Sequence, residues 1–88
     1  MHDALKTILL YLINKKYVGG RHTFEDRLIK SKTKRIDRAD IREVDKEYKM
    51  LINEGFIVRL KKRTGKGSDW HISLNPGKLK ELKEKLNE

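Results

Sequence analysis

Five long cations crowd into eight positions of this chain: Arg59, Lys61, Lys62, Arg63 and Lys66. Side chains of this type at this density hold anions, and a phosphate chain most readily, because each neutralised phosphate releases a condensed counterion. Gly65 and Gly67 stand among them, and glycine lets a backbone come close to a phosphate oxygen. A plainer use of the same lysines is to keep a sheet edge from pairing with another sheet. Five cations exceed what edge protection needs, so the segment is read first as an anion-binding element.

Other chemistry finds little footing. His2, His22 and His71 are scattered, and the offset of His22 from Glu25 has no second pair to complete a metal site. There is no cysteine, which removes disulfides and thiolate ligands. No serine stands in a nucleophile-elbow context, and the carboxylates lie among lysines on helix faces. An enzyme is therefore not expected, nor any cofactor or metal. Gly19-Gly20-Arg21-His22-Thr23 precedes a helix start, where open amides with Arg21 and His22 would suit a phosphate. It lacks the spacing of a nucleotide-binding loop and serves as well as a glycine stop with a threonine cap. Trp70 suits base stacking, but strand parity places it with Ile72 and Leu74, on the side that meets helices. Core packing is thus the expectation for Trp70, with His71 on the outer face beside Arg59 and Lys61.

The whole chain bounds these readings. It has 88 residues, 22 Lys and Arg against 13 Asp and Glu, a net charge of +9, and 36% hydrophobic residues. One small domain spanning residues 1–88, with one core, is the natural solution. The charge is uneven: residues 55–75 carry a net +4, whereas residues 34–54 are neutral. No run of about 18 apolar residues exists, so no membrane-spanning helix is expected. Without a secretory pattern the expected location is cytoplasmic. Glutamine is missing while Lys, Glu and Ile abound, a composition that suits a thermophile.

Periodicity places the cations on an architecture. Leu5, Ile8, Leu9, Leu12 and Ile13 make one stripe of a helix from Asp3 to Lys16, with Gly19-Gly20 closing it. Thr23 is an N-cap for a short second helix that buries Phe24, Leu28 and Ile29, followed by a basic loop from Lys30 to Arg35. Asp37 caps a third helix running to Glu54, with Ile41, Val44, Tyr48, Leu51 and Ile52 on one face and Gly55 as its stop. The period then drops to two. Phe56, Val58 and Leu60 alternate with Ile57, Arg59 and Lys61, and Trp70, Ile72 and Leu74 alternate with His71 and Ser73. Between them Thr64-Gly65-Lys66-Gly67-Ser68 reads as the tip of a β-hairpin. Asn75-Pro76 starts a last helix with Leu79, Leu82 and Leu86 on one side. An extended piece near Tyr17 to Arg21 is a candidate third strand.

Three helices, a basic-tipped hairpin and a closing helix form an α+β chain that resembles the winged-helix (winged helix-turn-helix) DNA-binding superfamily. Leu51-Ile52-Asn53-Glu54-Gly55-Phe56-Ile57-Val58 is similar to its junction between recognition helix and wing. Gly19-Gly20-Arg21-His22-Thr23 and Ser73-Leu74-Asn75-Pro76 resemble the corresponding parts of small archaeal members. The resemblance implies a three-helix core with a β-hairpin wing. It also implies double-stranded DNA as partner, and a role as transcription regulator or chromatin-like factor. The recognition helix would be Arg38 to Asn53, with Arg42 and Lys46 reaching phosphates or guanine edges. Two features depart from the pattern. The third helix is net neutral, and the stretch before it is longer than the usual three- or four-residue turn. Lys32, Lys34 and Arg35 of that stretch are further phosphate candidates.

Fold does not fix function, so rival readings stay open. The neutral third helix, with Ala39 and Met50 outward, suits a protein-interaction module docking on an acidic partner in a larger complex. RNA binding is another reading, because a basic hairpin holds any polyanion. The leucines of the last helix pack on the first helix or pair two copies as a homodimer.

Overall fold

In the computed structural model, which describes residues 1–65 and 67–87, four α-helices and a three-stranded antiparallel sheet share one hydrophobic core. The order is α1 (Asp3–Asn14), β1 (Thr23–Phe24), α2 (Glu25–Thr33), α3 (Arg38–Asn53), β2 (Ile57–Thr64), β3 (Gly67–Leu74), a 3-10 turn (Pro76–Lys78) and α4 (Leu79–Leu86). Leu5, Ile8, Leu9 and Leu12 of α1 are buried, as their spacing demands. Val44, Tyr48 and Leu51 of α3, Ile57, Ile72 and Leu74 of the sheet, and Leu82 of α4 close around them. The leucine face of α4 is thus spent inside the chain. Among the described residues no helix is long and apolar enough to cross a membrane.

Two helices end in the same way. Behind α3, the Phe56 N–H donates to Leu51 O (2.9 Å) and the Gly55 N–H to Ile52 O (3.1 Å), with Gly55 at φ 83°. This is the left-handed reversal that satisfies the last carbonyls, a conformation that glycine adopts without strain. Behind α1 the Tyr17 N–H donates to Leu12 O (2.9 Å) and the Lys16 N–H to Ile13 O (3.1 Å), with Lys16 at φ 59°. Lys16, not Gly19-Gly20, therefore stops α1.

The second helix differs from expectation at both ends. Thr23 and Phe24 pair with Ile72 and His71 of β3, so they form the third strand, and α2 starts at Glu25 without a side-chain cap. The expected strand near Tyr17 to Arg21 contributes only a bridge from Val18 to Leu74. Helical bonds continue through the basic stretch as far as Thr33, whose hydroxyl donates to Ile29 O (2.7 Å). Only residues 34–37 remain between α2 and α3, and Asp37 caps α3 by accepting from the Asp40 N–H (3.0 Å). The inter-helix connection is thus a short turn, not a long loop. Asn75 begins the closing segment as expected, its Oδ1 accepting from the Gly77 N–H (2.9 Å).

Candidate nucleic-acid interface

Strands β2 and β3 pair without interruption from Ile57 opposite Leu74 to Thr64 opposite Gly67. Their inner halves lie on the helices. From Leu60 outward every described side chain of the hairpin is exposed, up to and including Trp70. The hairpin therefore carries Lys61, Lys62 and Arg63 past the edge of the core. Lys66 lies outside the described residues.

Register decides which face each cation takes, since residues opposite one another share a face. Arg59 stands opposite Ile72 and Lys61 opposite Trp70, so Arg59, Lys61 and Arg63 occupy the face that meets the helices lower down. Lys62, opposite Asp69, points the other way. Trp70 does share its face with Ile72 and Leu74, but it is 40% exposed. The next residue on that face toward the base, Ile72, is fully buried. The Arg59 guanidinium covers Trp70 instead, 3.9 Å from the ring centroid, with the Lys61 ammonium at 5.6 Å. Core packing is thus the wrong assignment for Trp70.

His71 is also misplaced by the sequence reading. It faces Leu60 and Phe24 across the sheet, opposite to the Arg59 face, and is buried. Its Nδ1 lies 2.9 Å from His22 Nδ1, so one ring donates and the other accepts. Desolvation lowers the His22 pKa, and the charges of Lys62 and His71 push it the same way.

Arg59 does double duty. Its Nε and Nη2 donate to the two carboxylate oxygens of Glu25, at 2.7 and 2.8 Å. The Tyr48 hydroxyl donates to Glu25 Oε2 at 2.6 Å. This cluster ties the base of the hairpin to the first turn of α2 and the middle of α3. Burial, then the Glu25 hydrogen bond and charge, hold the Tyr48 hydroxyl protonated far above its ordinary range, and the Glu25 bond raises Arg59. Arg59 is therefore a neutralised anchor, not an open cation. Sequence patterning weighs Glu25 for its offset from His22. It misses the carboxylate's partners because they lie 23 and 34 residues away.

The remaining candidates are spread out. Arg42 and Lys46 are exposed on α3, on the same outward side as Glu43, Met50 and Asn53. Ile41, expected in the core, is 42% exposed. It sits in the first turn of α3, at the mouth of a cleft of about 210 Å³ that Arg42 also lines, where α1 and α2 do not close over it. Lys34 and Arg35 are exposed in the short turn, whereas Lys32 is a helical residue with its ammonium 5.0 Å from the Tyr11 ring centroid. Arg21 rests 5.3 Å from the Tyr17 ring centroid. The glycines before it offer no free helix start, because the Gly19 N–H donates to Leu74 O (2.9 Å) and β1 intervenes before α2. Phe24, expected in the core, is 39% exposed on the outer face of the sheet, with Val58 and Leu60 similarly open.

No family model matches the chain, and neither a curated protein nor a solved structure does.

Proposed function

We propose that this protein is a winged-helix domain that binds double-stranded DNA, with the hairpin as its main phosphate contact. One observation carries the reading: Lys61, Lys62 and Arg63 stand exposed on paired strands beyond the core. Strand pairing restrains the backbone that carries these cations, so less backbone freedom is lost when they meet a regular phosphate chain. The four-residue connection between α2 and α3 supports the same reading, since it matches the tight turn of a helix-turn-helix unit. Arg42 and Lys46, on the outward side of α3, are the groove-facing candidates, with Lys34 and Arg35 in the turn that precedes this helix. Such binding suits a transcription regulator or a chromatin-like factor.

Fluorescence anisotropy of a labelled duplex at two salt concentrations tests it. Tight binding at low salt that fades steeply as salt rises is the expected result. Structured RNA as competitor distinguishes the polyanion: RNA that displaces duplex DNA at lower concentration assigns the hairpin to RNA. No binding to the duplex at low salt ends the proposal. Alanine at Lys61, Lys62 and Arg63 is expected to weaken binding more than alanine at Arg42 and Lys46; the reverse order would move the contact from hairpin to helix.

A further inference from the structure

The sheet has one long open edge. In the order β1-β3-β2, strand β2 is outermost along its eight residues. Which backbone groups it leaves open follows from Leu74. The Leu74 N–H donates to Tyr17 O and its carbonyl accepts from the Gly19 N–H, both at 2.9 Å, so Leu74 turns its polar backbone away from β2. Its partner Ile57 is then a non-hydrogen-bonded position of the antiparallel ladder, and the alternation continues along the strand. Val58, Leu60 and Lys62 spend their N–H and C=O on β3. Ile57, Arg59, Lys61 and Arg63 direct theirs outward, where no backbone partner meets them among the described residues.

The side chains along that edge are of two kinds. One face carries Val58 and Leu60, which are 37% and 40% exposed, with Lys62 next along the strand toward the tip. The other carries Lys61 and Arg63 above the anchored Arg59. A second copy of β2 laid on this edge would set cations against cations, which disfavours self-pairing. An acidic strand meets the opposite condition.

We infer that the β2 edge is a docking site for an extended acidic segment of a partner protein. The segment joins the sheet as a fourth strand, with apolar side chains beside Val58 and Leu60 and carboxylates beside Lys61 and Arg63. Backbone bonds to Arg59, Lys61 and Arg63 supply affinity, and the alternation of apolar and acidic residues supplies specificity. This goes beyond the DNA reading and needs something a duplex does not use, the outward N–H groups. The two partners draw on the same cations, so the acidic strand also displaces the duplex.

The test uses the full chain and a fluorescein-labelled synthetic peptide in which Asp or Glu alternates with Val or Ile. A control peptide has the same residues with the acids grouped at one end. The alternating peptide is expected to bind and the grouped one to bind far more weakly; equal binding would reduce the site to plain charge attraction and overturn the inference. Lys61→Gln and Lys61→Pro both remove the cation, but only the second removes the edge N–H, at a position where proline spares the ladder to β3. Lys61→Pro is expected to bind the alternating peptide about tenfold more weakly than Lys61→Gln, the worth of a lost backbone bond. The same pair is expected to bind a DNA duplex equally. Should Lys61→Pro fail to fold, amide exchange of the unaltered protein decides: the Arg59, Lys61 and Arg63 amides slow on adding peptide, and unchanged exchange refutes the site. Slow exchange of those amides without peptide, together with a dimer mass, would make a second copy the occupant and overturn the inference. Strand-like peptide binding without duplex binding would uphold this site and end the DNA reading.

Discussion

The two halves of the hairpin are made of the same strands in the same register, yet they live in different solvents. At the base, Ile57, Ile72 and Leu74 are at most 2% exposed under the helices. At the outer half, Lys61, Lys62, Arg63 and Trp70 are exposed. Alternation assigns a residue to a face; whether that face is buried depends on how far the helices reach beneath it. Arg59 marks the border. It spends its charge on Glu25 below and lays its guanidinium on Trp70 above. The base thus holds the buried contacts, and the outer half adds little to them.

The sharpest way to break this division is to exchange penalties across it. Ile72→Ala removes a fully buried side chain and is expected to cost about 2–5 kcal/mol in urea unfolding. The triple change Lys61→Ala, Lys62→Ala, Arg63→Ala is expected to leave stability within about 0.5 kcal/mol. A large loss from the triple change would mean that the outer half is also part of the fold's support.

The border itself comes next. Glu25→Ala leaves the Tyr48 hydroxyl without its acceptor and Arg59 without its counter-charge. Its expected cost is about 2–3 kcal/mol, held below a fully buried pair because the Arg59 side chain is partly in water. Arg59→Ala measured alone and with Glu25→Ala gives the coupling between them; zero coupling would contradict the anchor.

On the outer face, His22 couples stability to pH. Its pKa in the fold lies below the ordinary 6.5, because of desolvation first and then Lys62 and His71. The unfolded chain therefore binds this proton more readily. The contribution is fully present above pH 6.5 and is lost as pH falls from there through the lowered folded value. Urea midpoints at successive pH values are expected to fall more between neutral and mildly acid pH for the native chain than for His22→Asn. Equal pH slopes would remove His22 from the balance.

The smallest effect concerns α1. Lys16 holds a left-handed backbone that glycine adopts without strain, so Lys16→Gly is expected to raise stability by up to about 1 kcal/mol in thermal unfolding. A loss would show that the lysine side chain repays its own strain.

What the sequence discloses divides along the same border. The limits of α3, its Asp37 cap and its Gly55 stop are local signals, and they stand in the structure. So does the pairing of the two hairpin strands. The exposure of Trp70 was not legible, because it depends on where the helices end beneath β3. Nor was the partner of His71, since the register that joins it to Leu60 and Phe24 is a long-range fact. The basic stretch after α2 misled for a local reason: lysine and serine in a row look like a loop, but lysine is a good helix former and the i,i+4 pair of Asp26 with Lys30 helps the turn continue. The Glu25 anchor needs three elements at once, and no single segment announces it.

The measurement that bears most directly on the hairpin's role is the salt dependence of duplex binding by the native chain and by the Lys61→Ala, Lys62→Ala, Arg63→Ala variant. If the outer half grips phosphates, the logarithmic slope of affinity against salt is expected to become shallower by about 1 for each phosphate contact removed, with folding unchanged. Parallel slopes for the two proteins would show that these cations touch no phosphate and that the hairpin is not the DNA contact.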